Sequence, residues 1–580
     1  MNPYIKFIQN LGKLRESSRH AIIDGESSQL DEFKSNLHVE REVEKQLRII
    51  IAEASKSEKA QLVLICGNVG DGKSHILSHL RSELGEEFSK FSVHNDATEA
   101  FNPKESFEDT LDSVLEEFKD HKIGTGSQKL LLAINLGTLN NFLTEKGENF
   151  KQLKEYVEEM GILDTDIVEK DNYNKSSLFQ YVNFADYQLY ELSESGVESE
   201  VISKLFENIF SNNKKKNPIY SSYLGLKEHY SSSQCPILYN YEFLLESENR
   251  NLIVGLMIKA IVKSKGIVSF RSILNFIHDI IVPVRYLLDT EEAFNKLLTK
   301  IQPDEYVQNV LPNYIFEHPE LSNIFKIISE EDPCNKRSEV VDDSIIRIVN
   351  TEEIEEFAKE FYSERLLNED LLTNLRKVQN NKQLLSKTHI RLLFFQDSQQ
   401  YELWDMDYKK YINYLYLSNK GDKQGLKQLY QLVIEACKKW NGNPNEKNSI
   451  IIELGTQQKK YRILKEFKPV PIFSNKEDSE KILKRFSPQL CVQFKGKDSI
   501  KNILNIDCGL LKLLNQVNNG YRPNKLDKNS YVNFINFLNN LIVSDNESKD
   551  IKIDEVNIGK SIDYNFSIDA FGEYKFEKNR

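Results

Sequence analysis

Apolar residues recur at helical spacing over residues 39–54, where Val39, Val43, Leu47, Ile50 and Ile51 alternate with charges. That pattern predicts an amphipathic helix. Leu62, Val63, Leu64, Ile65 and Cys66 then form an uninterrupted apolar run. A run this short, without polar alternation, predicts a strand covered on both faces, as in a parallel sheet. Ile76, Leu77, Leu80 and Leu84 share one face of a helix over 74–84. Residues 91–94 predict a second strand. Asn102 then reads as a helix cap, with Pro103 at the first helical position and Glu105 as its box partner, ahead of Phe107, Leu111, Val114, Leu115 and Phe118. After a glycine-rich break at 124–127, residues 130–135 predict a third buried strand and 179–184 a fourth. Strands alternating with helices imply βαβ units and a parallel sheet.

Beyond residue 235 the periodicity is helical. Residues 268–281 form one predicted helix, stopped by Pro283, and helical patterning continues through 352–378 and 390–440. After Gly442, Asn443, Pro444 and Asn445 short strands are predicted at 450–452 and 491–494, and the tail over 551–576 alternates as hairpins do. The expected fold class is α/β: an AAA+-like P-loop NTPase core with a parallel sheet, a helical lid, a helical middle region and a C-terminal α+β domain. The expected divisions are 1–58 (helical lead-in), 59–235 (nucleotide core), 236–340 (lid), 341–445 (helical domain) and 446–580 (α+β domain).

A length of 580 residues suits three or four domains. The formal net charge of −12 argues against tight unaided DNA binding, which calls for a basic face. None of the six cysteines forms a CxxC pair or stands at zinc-ligand spacing from histidines, so they read as reduced thiols. The ten histidines are scattered and read as structural. No apolar run approaches the roughly 20 residues that span a bilayer, and the N-terminus lacks the apolar stretch of a signal peptide. The expectation is a cytoplasmic protein with no membrane contact.

The chemistry lies between the first strand and its helix. Gly67, Asn68, Val69, Gly70, Asp71, Gly72, Lys73 and Ser74 match G-x-x-x-x-G-K-[ST], with His75 following. Glycines let backbone N–H groups close on phosphate oxygens, and the next helix aims its positive end at them. Lys73 reaches the β and γ phosphates and the Ser74 hydroxyl ligates Mg²⁺. The expected ligands are therefore ATP and Mg²⁺. The third strand ends at Asn135, where an ATPase of the assumed strand order carries an acid. Asn135 can bond a metal-bound water but cannot act as a base. Asp96 or Glu99 after the second strand, or Asp186 after the fourth, could supply the charge, with Asp96 also a metal-ligand candidate. Otherwise hydrolysis is slow and the site is a switch. Asn183 closes the fourth strand, where a γ-phosphate sensor could sit. Arg271 projects from the polar side of its helix and could reach a phosphate in cis or from a neighbouring subunit, as an arginine finger does; Arg391 is a weaker candidate. Each of these also has a plain structural reading as a cap, turn or surface ion pair. The only notable basic run, Lys214, Lys215 and Lys216, reads as a solvated loop or a phosphate-backbone contact.

Further segments accompany the loop: His38-Val39-Glu40, His94-Asn95-Asp96-Ala97-Thr98-Glu99, Ile134-Asn135-Leu136-Gly137, Val182-Asn183-Phe184-Ala185-Asp186-Tyr187, Phe270-Arg271-Ser272-Ile273-Leu274-Asn275-Phe276 and Trp440-Asn441-Gly442. Together with the loop these resemble the F component of the DNA phosphorothioation-dependent restriction system (the DptF or DndF family), over most of the chain to about Gly442 and more weakly beyond. The resemblance implies a bacterial defence ATPase working with two companion subunits, in a complex that attacks DNA lacking phosphorothioate sulfur. It implies that DNA is met through that complex, and a homo-oligomer stays open. Two other readings remain: a non-hydrolysing scaffold that uses ATP as structural glue, and a signalling NTPase unrelated to DNA.

Overall fold

The computed structural model describes residues 2–16, 37–68, 70–95, 106–124, 126–163, 173–213, 217–230, 235–264, 268–444, 448–452, 461–473, 478, 480–496, 501–544, 551–555, 564–568 and 573–578. The chain divides into two compact units. The first comprises Met1–Glu191, Glu198–Trp404 and Lys484–Phe486; the second comprises Leu192–Val197, Asp405–Leu483 and Ser487–Arg580. Among the described residues no helix is long and apolar enough to cross a membrane.

The first unit is built on strands β1 (Gln61–Cys66), β2 (Ser92–His94), β3 (Lys129–Ile134) and β4 (Phe179–Asn183). They form a parallel sheet in the order β2-β3-β1-β4. An α/β fold with a parallel sheet is therefore what the apolar runs specify. Successive strand side chains point to opposite faces, so a strand covered on both sides must be apolar at every position. On one face Leu62, Leu64, Leu130, Leu132, Ile134 and Tyr181 pack with residues of helices α4 (Phe107–Val114), α5 (Leu136–Lys146) and α6 (Lys151–Glu159). On the other face Val63, Ile65, Leu131, Ala133 and Val182 meet helices α2 (Glu42–Ser55) and α3 (Lys73–Ser89). Helix α1 (Pro3–Glu16) precedes them. Helix α3 kinks at Gly85, just beyond the apolar stripe that predicted it. Helix α4 starts at Phe107 under a capping box of Ser106 and Asp109; Asn102, Pro103 and Glu105 lie outside the described residues. Lys214, Lys215 and Lys216 also lie outside them.

Helices fill most of the remaining first unit. One of them, Phe270–Ile281, has Ser269 as its cap and ends before Pro283, as the periodicity predicts. The second unit joins helices such as Met406–Lys420 and Lys423–Lys439 to antiparallel sheets. Its five-stranded sheet takes the order Tyr574–Lys578, Tyr564–Ile568, Ile551–Glu555, Tyr461–Glu466, Ser449–Ile452. The tail that alternates in sequence thus pairs as consecutive antiparallel strands.

Candidate functional site

In register, Cys66 at the end of β1 stands beside Ile134 of β3 and Asn183 of β4. The segments that follow, starting at Gly67, Asn135 and Phe184, therefore leave the sheet at one edge. Carboxyl ends of parallel strands are where α/β folds place their ligands.

The glycine loop after β1 turns through Gly70 (φ +89°) and Gly72 (φ +86°), both in the left-handed region. Helix α3 begins at Lys73, and among the described residues no side chain caps its start. Its first N–H groups and the positive end of its dipole thus face the loop. Lys73 Nζ donates to the carbonyls of Gly67 (2.9 Å) and Asn68 (2.7 Å). Asp71 Oδ2 accepts from the Asn68 N–H at 2.6 Å. Burial raises the Asp71 carboxyl above its usual range, against the opposing pull of that hydrogen bond and of the nearby Lys73 and Arg41 charges. Ser74 Oγ donates to Asn95 Oδ1 at 3.1 Å, tying the start of α3 to the end of β2. Val69, Asp96 and Glu99 lie outside the described residues.

Asn135 acts as a cap: its Oδ1 accepts from the Thr138 N–H at 2.7 Å and starts α5. Asn183 Oδ1 accepts from the Ala185 N–H, and its Nδ2 donates to Asp186 Oδ1, both at 3.1 Å. Asp186 in turn lies 3.7 Å from Arg485 Nη2. The strand order adds a second point. β3, not β2, lies against β1, yet the Ser74 hydroxyl meets the residue that ends β2. The polar group facing Ser74 follows β2, next in the chain to the candidate Asp96.

Arg271 comes close to the loop. A β-carbon built on Gly70 would lie 3.0 Å from Ser269 Cβ and 3.7 Å from Arg271 Cβ. Ser269 and Arg271 open the Phe270–Ile281 helix, so its N-terminal turn lies against the loop. Arg391 does not come to this site. It is 1 % exposed, paired with Asp332 (2.6 Å) and Glu317 (2.8 Å), and bonded to Asn313 Oδ1. A guanidinium buried in that way cannot serve as a finger toward a phosphate.

Two arginines at the site are not singled out by sequence motif. Arg41, just before α2, donates to the Asp71 carbonyl at 2.7 Å and lies over the rings of Phe184 (5.1 Å) and Phe270 (5.7 Å). Desolvation lowers it to about 10, so it stays protonated at neutral pH. Arg485 reaches Asp186 and lies 4.9 Å from the Tyr187 ring centroid. No local spacing announces either one, because each meets the site only through the fold. The histidines also depart from expectation: His38, His75 and His79 gather beside the loop, with His38 Nδ1 3.1 Å from His75 Nε2. The thiol of Cys66, buried under the loop, is pushed up to about 12 and stays an inert thiol. Comparison with protein-family models, with curated proteins and with solved structures finds no match for this chain.

Proposed function

We propose that the chain is a P-loop, AAA+-like ATPase that binds ATP with Mg²⁺ at the glycine loop. We propose further that it is the ATP-hydrolysing subunit of a DNA phosphorothioation-dependent restriction complex, acting on DNA that lacks the modification. The observation that carries the nucleotide reading is the Lys73 ammonium held on the Gly67 and Asn68 carbonyls, ahead of an uncapped helix start. An ammonium parked on loop carbonyls is poised to exchange them for phosphate oxygens. The restriction context rests on the sequence resemblance alone.

The donor set suits the metal: the Ser74 hydroxyl and the Asn95 carbonyl, 3.1 Å apart, are hard oxygens of the kind Mg²⁺ takes. They would hold the ion where it would neutralise phosphate charge. Asp96, next in the chain after Asn95, is the candidate acid for the metal and the attacking water, and Glu99 follows it. Arg271, on the helix turn against Gly70, is the candidate for a phosphate contact, in cis or from a neighbouring subunit. Arg41 braces the loop from behind through the Asp71 carbonyl. Asp186 is held by Asn183 and faces Arg485, which favours a structural part for that pair.

The occupied cap at Asn135 supports a second reading, a non-hydrolysing scaffold that closes on ATP and assembles its companion subunits. Phosphate release by the purified chain, alone and with companion subunits and unmodified DNA, separates the two. The ATPase reading expects release that Lys73→Ala abolishes and Asp96→Asn slows without loss of ATP binding. Tight ATP binding with no turnover under any of these conditions would leave the scaffold reading.

A further inference from the structure

Behind the glycine loop, His79 on α3, Glu44 on α2 and His38 converge. His38 Nε2 lies 3.2 Å and His79 Nδ1 2.9 Å from the same Glu44 oxygen, Oε1. The three ligand-capable atoms lie within 4.8 Å of one another. Glu44 is completely buried. Neither of its oxygens completes a hydrogen bond, and neither does His38 Nε2 or His79 Nδ1. A fully desolvated carboxylate with no hydrogen bond is costly, and buried carboxylates are normally paired, bonded or on a metal.

The neighbouring charges narrow the choice. Arg48 Nη2 stands 3.9 Å from Glu44 Oε1 but lies closer to Glu40 (2.6 Å, through Nη1) and Glu83 (2.9 Å). With neutral imidazoles the cluster carries three carboxylates against one guanidinium. His38 and His79 are stacked face to face at 3.7 Å between centroids. One divalent cation cancels the excess of two negative charges.

We propose that His38 Nε2, His79 Nδ1 and Glu44 Oε1 bind a zinc ion. Tetrahedral zinc with nitrogen and oxygen ligands at about 2.0–2.2 Å sets its ligand atoms roughly 3.3 Å apart, close to the two separations from Glu44. The His38 and His79 planes lie within 15° of parallel, so one ring must turn out of the stack for both lone pairs to meet on the ion. Two imidazoles and one carboxylate leave a fourth position, which Glu83 or a water fills; Glu83 Oε2 is 3.9 Å from His79 Nδ1. His75 backs the site, since its Nε2 faces the Nδ1 of His38 and fixes which His38 nitrogen is free to ligate. Because His75 follows Ser74 directly, the ion would brace the start of α3 from behind.

Binding of the ion does not depend on the nucleotide reading, so its test uses no nucleotide. Chelator-stripped full-length chain is titrated with Zn²⁺ by calorimetry and with Co²⁺ by optical absorption, with circular dichroism confirming the fold of every variant. One ion per chain is expected, with tetrahedral Co²⁺ bands. His79→Gln and Glu44→Gln should abolish both signals, and His75→Ala should weaken affinity about 10-fold or more, as loss of an orienting partner does. Folded wild-type chain that takes up no zinc, or His79→Gln and Glu44→Gln variants that bind as tightly as wild type, would overturn the assignment.

Discussion

At Gly70 the backbone takes φ +89°, and a β-carbon there would stand 3.0 Å from both Ser269 Cβ and Ser269 Oγ. Two independent constraints meet at this residue. A left-handed conformation costs a side-chain-bearing residue roughly 1–2 kcal/mol, and the contact with Ser269 adds steric cost. Gly70→Ala is therefore expected to lower stability by at least about 1 kcal/mol on that basis, read as a lower thermal midpoint of the full chain. An alanine variant that melts with wild type would contradict the loop geometry. Ser74 and Asn95 make a similar pair of constraints on the chemistry. The hydroxyl that the motif assigns to a metal bonds a residue at the end of β2, whereas Asn135 is spent on starting α5. Asn135→Asp keeps the cap, since an aspartate caps as well as an asparagine. It is expected to leave the thermal midpoint within a few degrees of wild type; a large drop would show that the residue does more than cap.

At the scale of elements, helix Lys382–Asp397 carries three buried polar side chains, Thr388, His389 and Arg391, of which sequence patterning could not assign the last two. Arg391 is enclosed with Asp332, Glu317 and Asn313. Removing one member of a buried charge network leaves its partners uncompensated, so Arg391→Met is expected to cost about 3–5 kcal/mol, measured by denaturant unfolding. His389, completely buried, bonds Ser344 Oγ at 2.8 Å and the Tyr362 hydroxyl, and desolvation lowers it to about 3. The unfolded chain binds this proton near pH 6.5 and the folded chain does not, so between those values the unfolded state holds more protons. Stability is then fully present above about pH 6.5 and falls as pH drops toward 3. His389→Gln should flatten that acid limb in thermal melts from pH 4 to 7; an unchanged slope would contradict it. What sequence could reveal follows from what fixes each element. β1 is legible because burial on both faces leaves an unbroken apolar run from Leu62 to Cys66. The Phe270–Ile281 helix is legible because its apolar stripe, its Ser269 cap and Pro283 agree. Ser106 as the cap of α4 is hidden in the sequence because Asn102, Pro103 and Glu105 carry a competing capping pattern just upstream. The histidine cluster is half legible: His75 and His79 are four apart and so share a helix face, but His38 and Glu44 join them only through packing of α2.

At the scale of the molecule, the strand order β2-β3-β1-β4 depends on how crossovers pass over the sheet, and no local pattern encodes that. This is why Arg41 and Arg485 escape any motif. The charge balance is a whole-molecule property of the opposite kind, read directly from the sequence. A chain of net charge −12 is expected to show no tight binding of duplex DNA by itself at about 0.15 M salt. On the proposed restriction reading, DNA contact should then require companion subunits; a salt-resistant mobility shift by the isolated chain would contradict that. The central claim is the phosphate-binding loop, and calorimetric titration of the folded full-length chain with ATP and Mg²⁺ tests it most directly. Saturable binding of one ATP per chain is expected, and Lys73→Ala should weaken it by roughly 10-fold or more, the loss of a charge-assisted contact of about 1.5–3 kcal/mol. No heat of binding from wild-type chain, or equal affinity in wild type and Lys73→Ala, would contradict it.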